Sequence, residues 1–498
     1  MKRKILVNST AGVVQVAVNI IVTFLSIPIY YAYLGGEMYG VYSVITAVGI
    51  IGNFINFGFN ISIIKFLSEQ GRCAESDRDI FTAVTLAGGL VSMVVMGGIV
   101  FRHEVLADVL RIPSQLQTAD VYGFYTAVLI SNIFMFLGEI PSAVLDSQHK
   151  IYITNVLQMV NIVLNRGGGA VAVMLGAGIA GVGQMYLAAS LSWFALLLFY
   201  FFRHWEFTSF RGLLYRFPAS VKKQVAYGYK VLLTGISGFF YEPFMKVLIS
   251  RYIGIAEVGM FDIAFRLKNI VWNVMVKALY PITPLIARYT DAAAVRMLVD
   301  RVSRMLLMVS LPLIAMLLSM TDEIIGLWLG EGQEMIIRST KIIIGAHLVL
   351  ISSIPAYQYL QIKDHPEKNF YIQLLNAILS FTYFMIMVPH WGYIAAVIAF
   401  VSAVLTTNAL MIFFQWKYLD SIIFLPVRPL LLSALIAIGI YAVNLVVQAS
   451  IGDPPLLRLA VMAALDGIAV PVALVRFGVI SMTDIRWLTS ARIGPDIV

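Results

Sequence analysis

From about residue 9 to residue 479, apolar runs of about 20 residues follow one another, separated by short polar segments. Each is long enough to cross the roughly 30 Å hydrocarbon core of a bilayer as a helix, at about 1.5 Å per residue. The runs are continuous rather than alternating, which excludes a membrane β-barrel. They predict spans over 9–32, 38–66, 80–101, 119–146, 151–175, 178–202, 224–250, 257–287, 303–320, 336–361, 369–389, 391–415, 426–449 and 456–479. The expected fold class is an all-α polytopic membrane protein with about 14 transmembrane helices.

The basic residues agree with this division. With the N-terminus inside, one set of loops carries about 24 Lys and Arg and the other about 6, the bias that orients membrane proteins. Both termini are therefore expected on the cytoplasmic side. The same bias accounts for the net charge of +8, which needs no nucleic-acid partner. Composition supports this reading: 60% hydrophobic and 12% charged residues among 498, where soluble domains carry about 25% charged residues. Lys2, Arg3 and Lys4 precede an apolar run longer than a signal-peptide core, so a retained first span is expected. The one cysteine, Cys73, lies in a polar loop and cannot form an internal disulfide.

The chain also repeats itself. Tyr33 to Tyr42, with Gly35, Gly36 and Gly40, resembles Tyr252 to Phe261, with Gly254 and Gly259. Ile140-Pro141 is matched by Ile354-Pro355, and Asn155, Gln158 and Asn161 by Asn369, Gln373 and Asn376, at similar offsets and in the same order. Six spans per copy is an even number. The copies should therefore be parallel repeats facing a central cavity, an arrangement that suits alternating access. The expected organisation is an N-terminal six-helix bundle over 1–205, a basic cytoplasmic linker over 206–223, a second six-helix bundle over 224–418, and two extra helices with a tail over 419–498.

Charges within the spans supply the candidate chemistry, since a cation at a helix centre costs roughly 2.5–3.5 kcal/mol on insertion scales. Asp262, Arg266, Asn269, Asn273 and Lys277 recur at helical spacing in the eighth span and share one face. The seventh span adds Glu242 and Lys246 beside Pro243, and the fifth adds Arg166 before three glycines. Internal pairing is the competing account, because Asp262 with Arg266 and Glu242 with Lys246 are i,i+4 pairs. The second span offers a neutral face of Asn53, Asn56 and Asn60. A cationic wall opposite an asparagine wall suits an anion that also bears hydroxyl groups, although asparagines also join helices directly. The expected substrate contacts are thus Arg266, Lys277, Lys246, Arg166, Asn269, Asn273, Asn53, Asn56 and Asn60. Asp262, Glu242 and Asp466, an acid in the last span, are candidates for coupling to a proton or sodium gradient. No phosphate-binding glycine loop, zinc-binding pattern or nucleophile elbow appears, so no catalytic residue, metal or cofactor is expected.

Several of these residues carry a family resemblance. Leu34-Gly35 through Gly40-Val41-Tyr42, Gly259-Met260-Phe261 with Ala264 to Leu267, Pro281 to Arg288, and Ile140-Pro141 with its basic loop resemble the polysaccharide-export flippases. These belong to the multidrug, oligosaccharidyl-lipid and polysaccharide exporter superfamily, and the resemblance covers about residues 5–480. It implies a non-enzymatic flippase of the bacterial inner membrane. Such a protein moves an undecaprenyl-pyrophosphate-linked oligosaccharide for surface polysaccharide such as O-antigen or exopolysaccharide. Its partners would be membrane lipids and a glycan polymerase. The alternatives are a cation-coupled multidrug exporter of the same superfamily and a non-transporting scaffold. The first span contains no Asp or Glu, which counts against the drug exporter.

Overall fold

The computed structural model describes residues 2–49, 58–208, 217–226, 241–278, 292–362, 366–420, 427–452 and 454–480. The expected Asn53 and Asn56 lie outside them, as do the inner part of the second span and much of the seventh. All regular structure among the described residues is helical. In chain order the helices are α1 Lys2–Gly49, α2 Phe59–Gln70, α3 Ala74–Val100, α4 Ala119–Ser147, α5 Ile151–Ile162, α6 Gly168–Met174 and α7 Gly178–His204. There follow α8 Glu242–Tyr252, α9 Ile255–Ala278, α10 Ala292–Leu329, α11 Glu334–Ile351, α12 Ile354–Ile362, α13 Pro366–Leu419, α14 Val427–Ser450 and α15 Pro455–Arg476.

Two of these helices each contain a pair of expected spans. In α1 the first and second spans meet at Gly35, which adopts φ 78°. In α13 the eleventh and twelfth meet at Gly392, at φ 58°. Only glycine enters these left-handed conformations without steric cost, so each residue turns the chain where a polar loop would otherwise be needed. The fifth span is divided differently. A π-helical turn, Val163–Gly167, joins α5 to α6 and contains Arg166. Such turns widen a helix locally and displace its side chains.

The chain divides into two compact units, Met1–Asp262 and Ile263–Val498. Water cannot drive helices together inside a bilayer, so contacts depend on close packing and on small residues. In the first unit α4 lies along α7, where a Cβ on Gly138 would overlap the ring of Trp193. A second cluster joins Phe59, Ile63, Ile80, Ile140 and Phe201 from α2, α3, α4 and α7. In the second unit α10 provides the backbone of the packing. It is buried against α12 through Val295, Val302 and Ile354, and against α15 through Met308 and Leu474.

Of the repeated segments, the pair Tyr33 to Tyr42 and Tyr252 to Phe261 lies within the first unit. Gly40 is so close to α9 that a Cβ there would collide with the Ile255 carbonyl. A Cβ on Gly259 would come within 3.3 Å of the Gly36 carbonyl oxygen. The glycines common to both copies thus permit backbone to approach backbone.

Candidate functional site

Close approach of α1 to α9 brings Tyr39 beside Asp262. The Tyr39 hydroxyl donates to Asp262 Oδ2 at 2.6 Å, and Lys246 Nζ of α8 donates to Oδ1 at 2.5 Å. Lys246 also meets Glu242 Oε1 at 2.6 Å, one turn back along α8. The Asp262 side chain is fully buried, that of Lys246 is 4% exposed and that of Glu242 is 23% exposed. The ammonium is therefore shared by two carboxylates away from solvent. Removing one member of so buried a set strands charge, which gives the cluster a strong preference for staying closed. The expected i,i+4 pair of Glu242 and Lys246 is present. Asp262 also joins Lys246 and Tyr39 across helices, and no charge or spacing in the sequence marks Tyr39 as its partner.

Beyond this cluster the polar face of α9 opens by degrees. Asp262 is buried, Arg266 and Asn269 are half-buried, and Asn273 is exposed. Lys277 continues the same face near the end of the helix, and its side chain lies outside the described residues. The polar row thus starts in a closed ion-pair cluster and reaches an exposed position at Asn273. Lys268 lies off this row. It is buried, with Nζ 4.3 Å from the centre of the Phe265 ring, and lines a small cavity with Trp272, Ile314, Ile344 and His347. His347 Nδ1 lies 2.6 Å from the Ile343 carbonyl oxygen, consistent with a packed histidine that donates to its own helix.

The remaining candidates have partners of their own. Arg166 is half-buried and donates through Nη1 to Asn19 Oδ1 at 3.2 Å and to Thr23 Oγ1, both on α1. Tyr30 donates its hydroxyl to the Arg166 carbonyl at 2.9 Å, fixing the π-turn against α1. Asn60, at the start of α2, donates to Glu139 Oε2 at 2.9 Å. Glu139 is a further acid within a span, just before Ile140-Pro141. Asp466 lies in the second unit, where Asn444 Nδ2 donates to its Oδ2 at 2.7 Å. No cluster of three metal-ligating side chains occurs among the described residues.

Known proteins extend these observations. The sequence matches the profile of a family described as polysaccharide biosynthesis protein over residues 33–338, more than half of the chain. No curated protein sequence matches it. Among solved structures, the lipid II flippase MurJ in an inward closed conformation superposes with a TM-score of 0.73 at 12% identity, covering 94% of this chain and 98% of that one. An inward-facing multidrug resistance MATE transporter of the MOP superfamily superposes at 0.61 and 12% identity, covering 82% and 98%. A MOP superfamily transporter from Pyrococcus furiosus, reported with a binding pocket of reverse polarity, gives 0.56 at 13% identity, covering 84% and 96%. At these identities the likeness establishes the fold, while the profile establishes the family. The chain is a multi-pass membrane protein with the MurJ and MATE fold, and it belongs to the polysaccharide biosynthesis protein family.

Proposed function

We propose that this protein is a flippase that carries an undecaprenyl-pyrophosphate-linked oligosaccharide across the bacterial cytoplasmic membrane, by alternating access of its two six-span repeats. The polar row of α9 carries this reading. It grades from the buried Asp262 through half-buried Arg266 and Asn269 to exposed Asn273, with Lys277 beyond. A pyrophosphate must shed water to enter a membrane protein, and a guanidinium or ammonium replaces that hydration through charge-assisted hydrogen bonds. Two cations at different depths of one helix offer successive contacts, and the amides between them suit sugar hydroxyls. The family match to polysaccharide biosynthesis supports a saccharide cargo over an organic cation. Both termini lie in the cytoplasm on this reading, as the loop charges predict.

The test is a strain lacking the gene, complemented with wild type, Arg266→Ala, Lys277→Ala or the double variant. Loss of the gene should trap lipid-linked saccharide in the inner leaflet and remove surface glycan, and mass spectrometry of the trapped species names the sugar. The double variant should fail to restore export at normal protein level. Full export by the double variant refutes the role given to α9. Normal glycan with no trapped intermediate in the deletion strain, but with increased sensitivity to cationic dyes, favours a drug exporter instead.

A further inference from the structure

The second unit contains a buried acid that the transport reading does not use. Asp466 lies midway along α15 and is 2% exposed. Asn444 of α14 is fully buried beside it. One Asn444 amide group serves two acceptors: Nδ2 donates to Asp466 Oδ2 at 2.7 Å and to Ser319 Oγ of α10 at 2.8 Å. With both amide hydrogens directed this way, the buried Asn444 Oδ1 is left without a hydrogen-bond donor.

Among the described residues, the charged groups packed nearby pair elsewhere and form no ion pair with Asp466. One helical turn away, Gln448 Nε2 donates to Glu323 Oε2 at 2.8 Å. Arg458 Nε lies 3.9 Å from Glu323 Oε1, and so balances that acid. Arg458 is eight residues before Asp466 on the same helix, about 12 Å along its axis. α14 contributes the Asn444 and Gln448 amides to this region. A carboxylate held between apolar helices is costly unless a counter-charge accompanies it, and a buried acceptor with no donor is costly as well. Both deficits belong to one hydrogen-bonded pair of side chains, and one small positive charge held between the two would remove both.

We propose that Asp466 and Asn444 form a binding site for a single monovalent cation, a proton or a sodium ion, on the shared face of α10, α14 and α15. The donor set is oxygen only: the Asp466 carboxylate, Asn444 Oδ1 and the Ser319 hydroxyl. Hard oxygen ligands suit sodium. A proton resident on Asp466 would instead be donated to Asn444 Oδ1. The site is independent of the flippase reading, because it is tested by binding rather than by transport.

The experiment uses the purified full-length protein in lipid nanodiscs, as wild type, Asp466→Asn and Asn444→Leu. One arm measures saturable binding of radiolabelled sodium. The other follows the infrared carbonyl band of a protonated carboxylic acid while pH is changed. The expected result is either one sodium per chain, abolished by both variants, or a pH-responsive carboxyl band that Asp466→Asn removes and Asn444→Leu shifts. The first assigns the site to sodium and the second to the proton. If Asp466→Asn fails to fold, Asn444→Leu gives the reading alone, since it keeps the carboxylate. A wild type with neither signal, signals unchanged in the variants, or a carboxyl band insensitive to pH makes Asp466 a fixed helix tie and overturns the proposal.

Discussion

Lys246→Met tests the ion-pair cluster most directly. The substitution keeps an unbranched apolar stem, one atom shorter, and removes the ammonium that lies 2.5 Å from Asp262 and 2.6 Å from Glu242. Asp262 is fully buried and retains the Tyr39 hydroxyl at 2.6 Å. Breaking a buried pair from one side costs about 3–5 kcal/mol, because the remaining charge is neither paired nor hydrated. Tyr39→Phe removes a hydrogen bond to a charged group and should cost less, about 1.5–3 kcal/mol. Glu242 is partly exposed, and Glu242→Gln leaves the Lys246–Asp262 contact intact, so a change within about 1 kcal/mol is expected. Adding Asp262→Asn to Lys246→Met removes the stranded carboxylate. The double variant should therefore be more stable than the sum of its parts by up to about 3 kcal/mol. Denaturant unfolding in mixed micelles, followed by tryptophan fluorescence, measures these four and the Asp262→Asn single variant that the comparison requires. A Lys246→Met variant within about 0.5 kcal/mol of wild type, or strict additivity in the double variant, would refute the buried shared ammonium.

Other sites offer contrasting expectations. Gly40→Ala drives a methyl group into the Ile255 carbonyl and should destabilise by about 1–3 kcal/mol. Gly89→Ala, within α3 and with open space around it, should instead gain about 0.5–1 kcal/mol; thermal unfolding in detergent distinguishes the signs. Asp77→Ala should cost about 1–3 kcal/mol for each donor it strands, since the carboxylate accepts from the Trp205 indole at 2.9 Å and the Thr208 amide at 2.6 Å. Burial works against the charge of Lys223, but hydrogen bonds and attraction from Asp79 and Glu75 outweigh it and hold the ammonium above the usual lysine range. A raised value stabilises the folded state below the ordinary lysine pKa, and the benefit is lost as pH climbs through the raised value. Lys223→Met should therefore be less stable than wild type at neutral pH, and the difference should shrink under strongly alkaline conditions, as read from unfolding at each pH.

The amino-acid sequence alone determined the membrane architecture, because the need to satisfy every backbone group in lipid makes an apolar run of spanning length a helix. It also located the chain reversals. Gly35 and Gly392 turn α1 and α13 close to the span ends read from the sequence, since the polar breaks there are too short for a loop. The polar face of α9 was legible as well, because helical periodicity fixes which side chains share a side. Partnership was not legible. Asp262 has Arg266 one turn away, yet it meets Lys246 and Tyr39 from other helices, and local spacing contains no record of which helices touch. For the same reason the sequence offered Arg166 and Asn60 as cavity contacts, while the fold gives them Asn19, Thr23 and Glu139 as partners. Asp466 was visible as a lone acid, but only tertiary packing sets Asn444 and Ser319 around it and carries Arg458 away to Glu323. Periodicity decides which face a residue occupies, and the close approach of distant helices, permitted here by small residues such as Gly40 and Gly138, decides what that face meets.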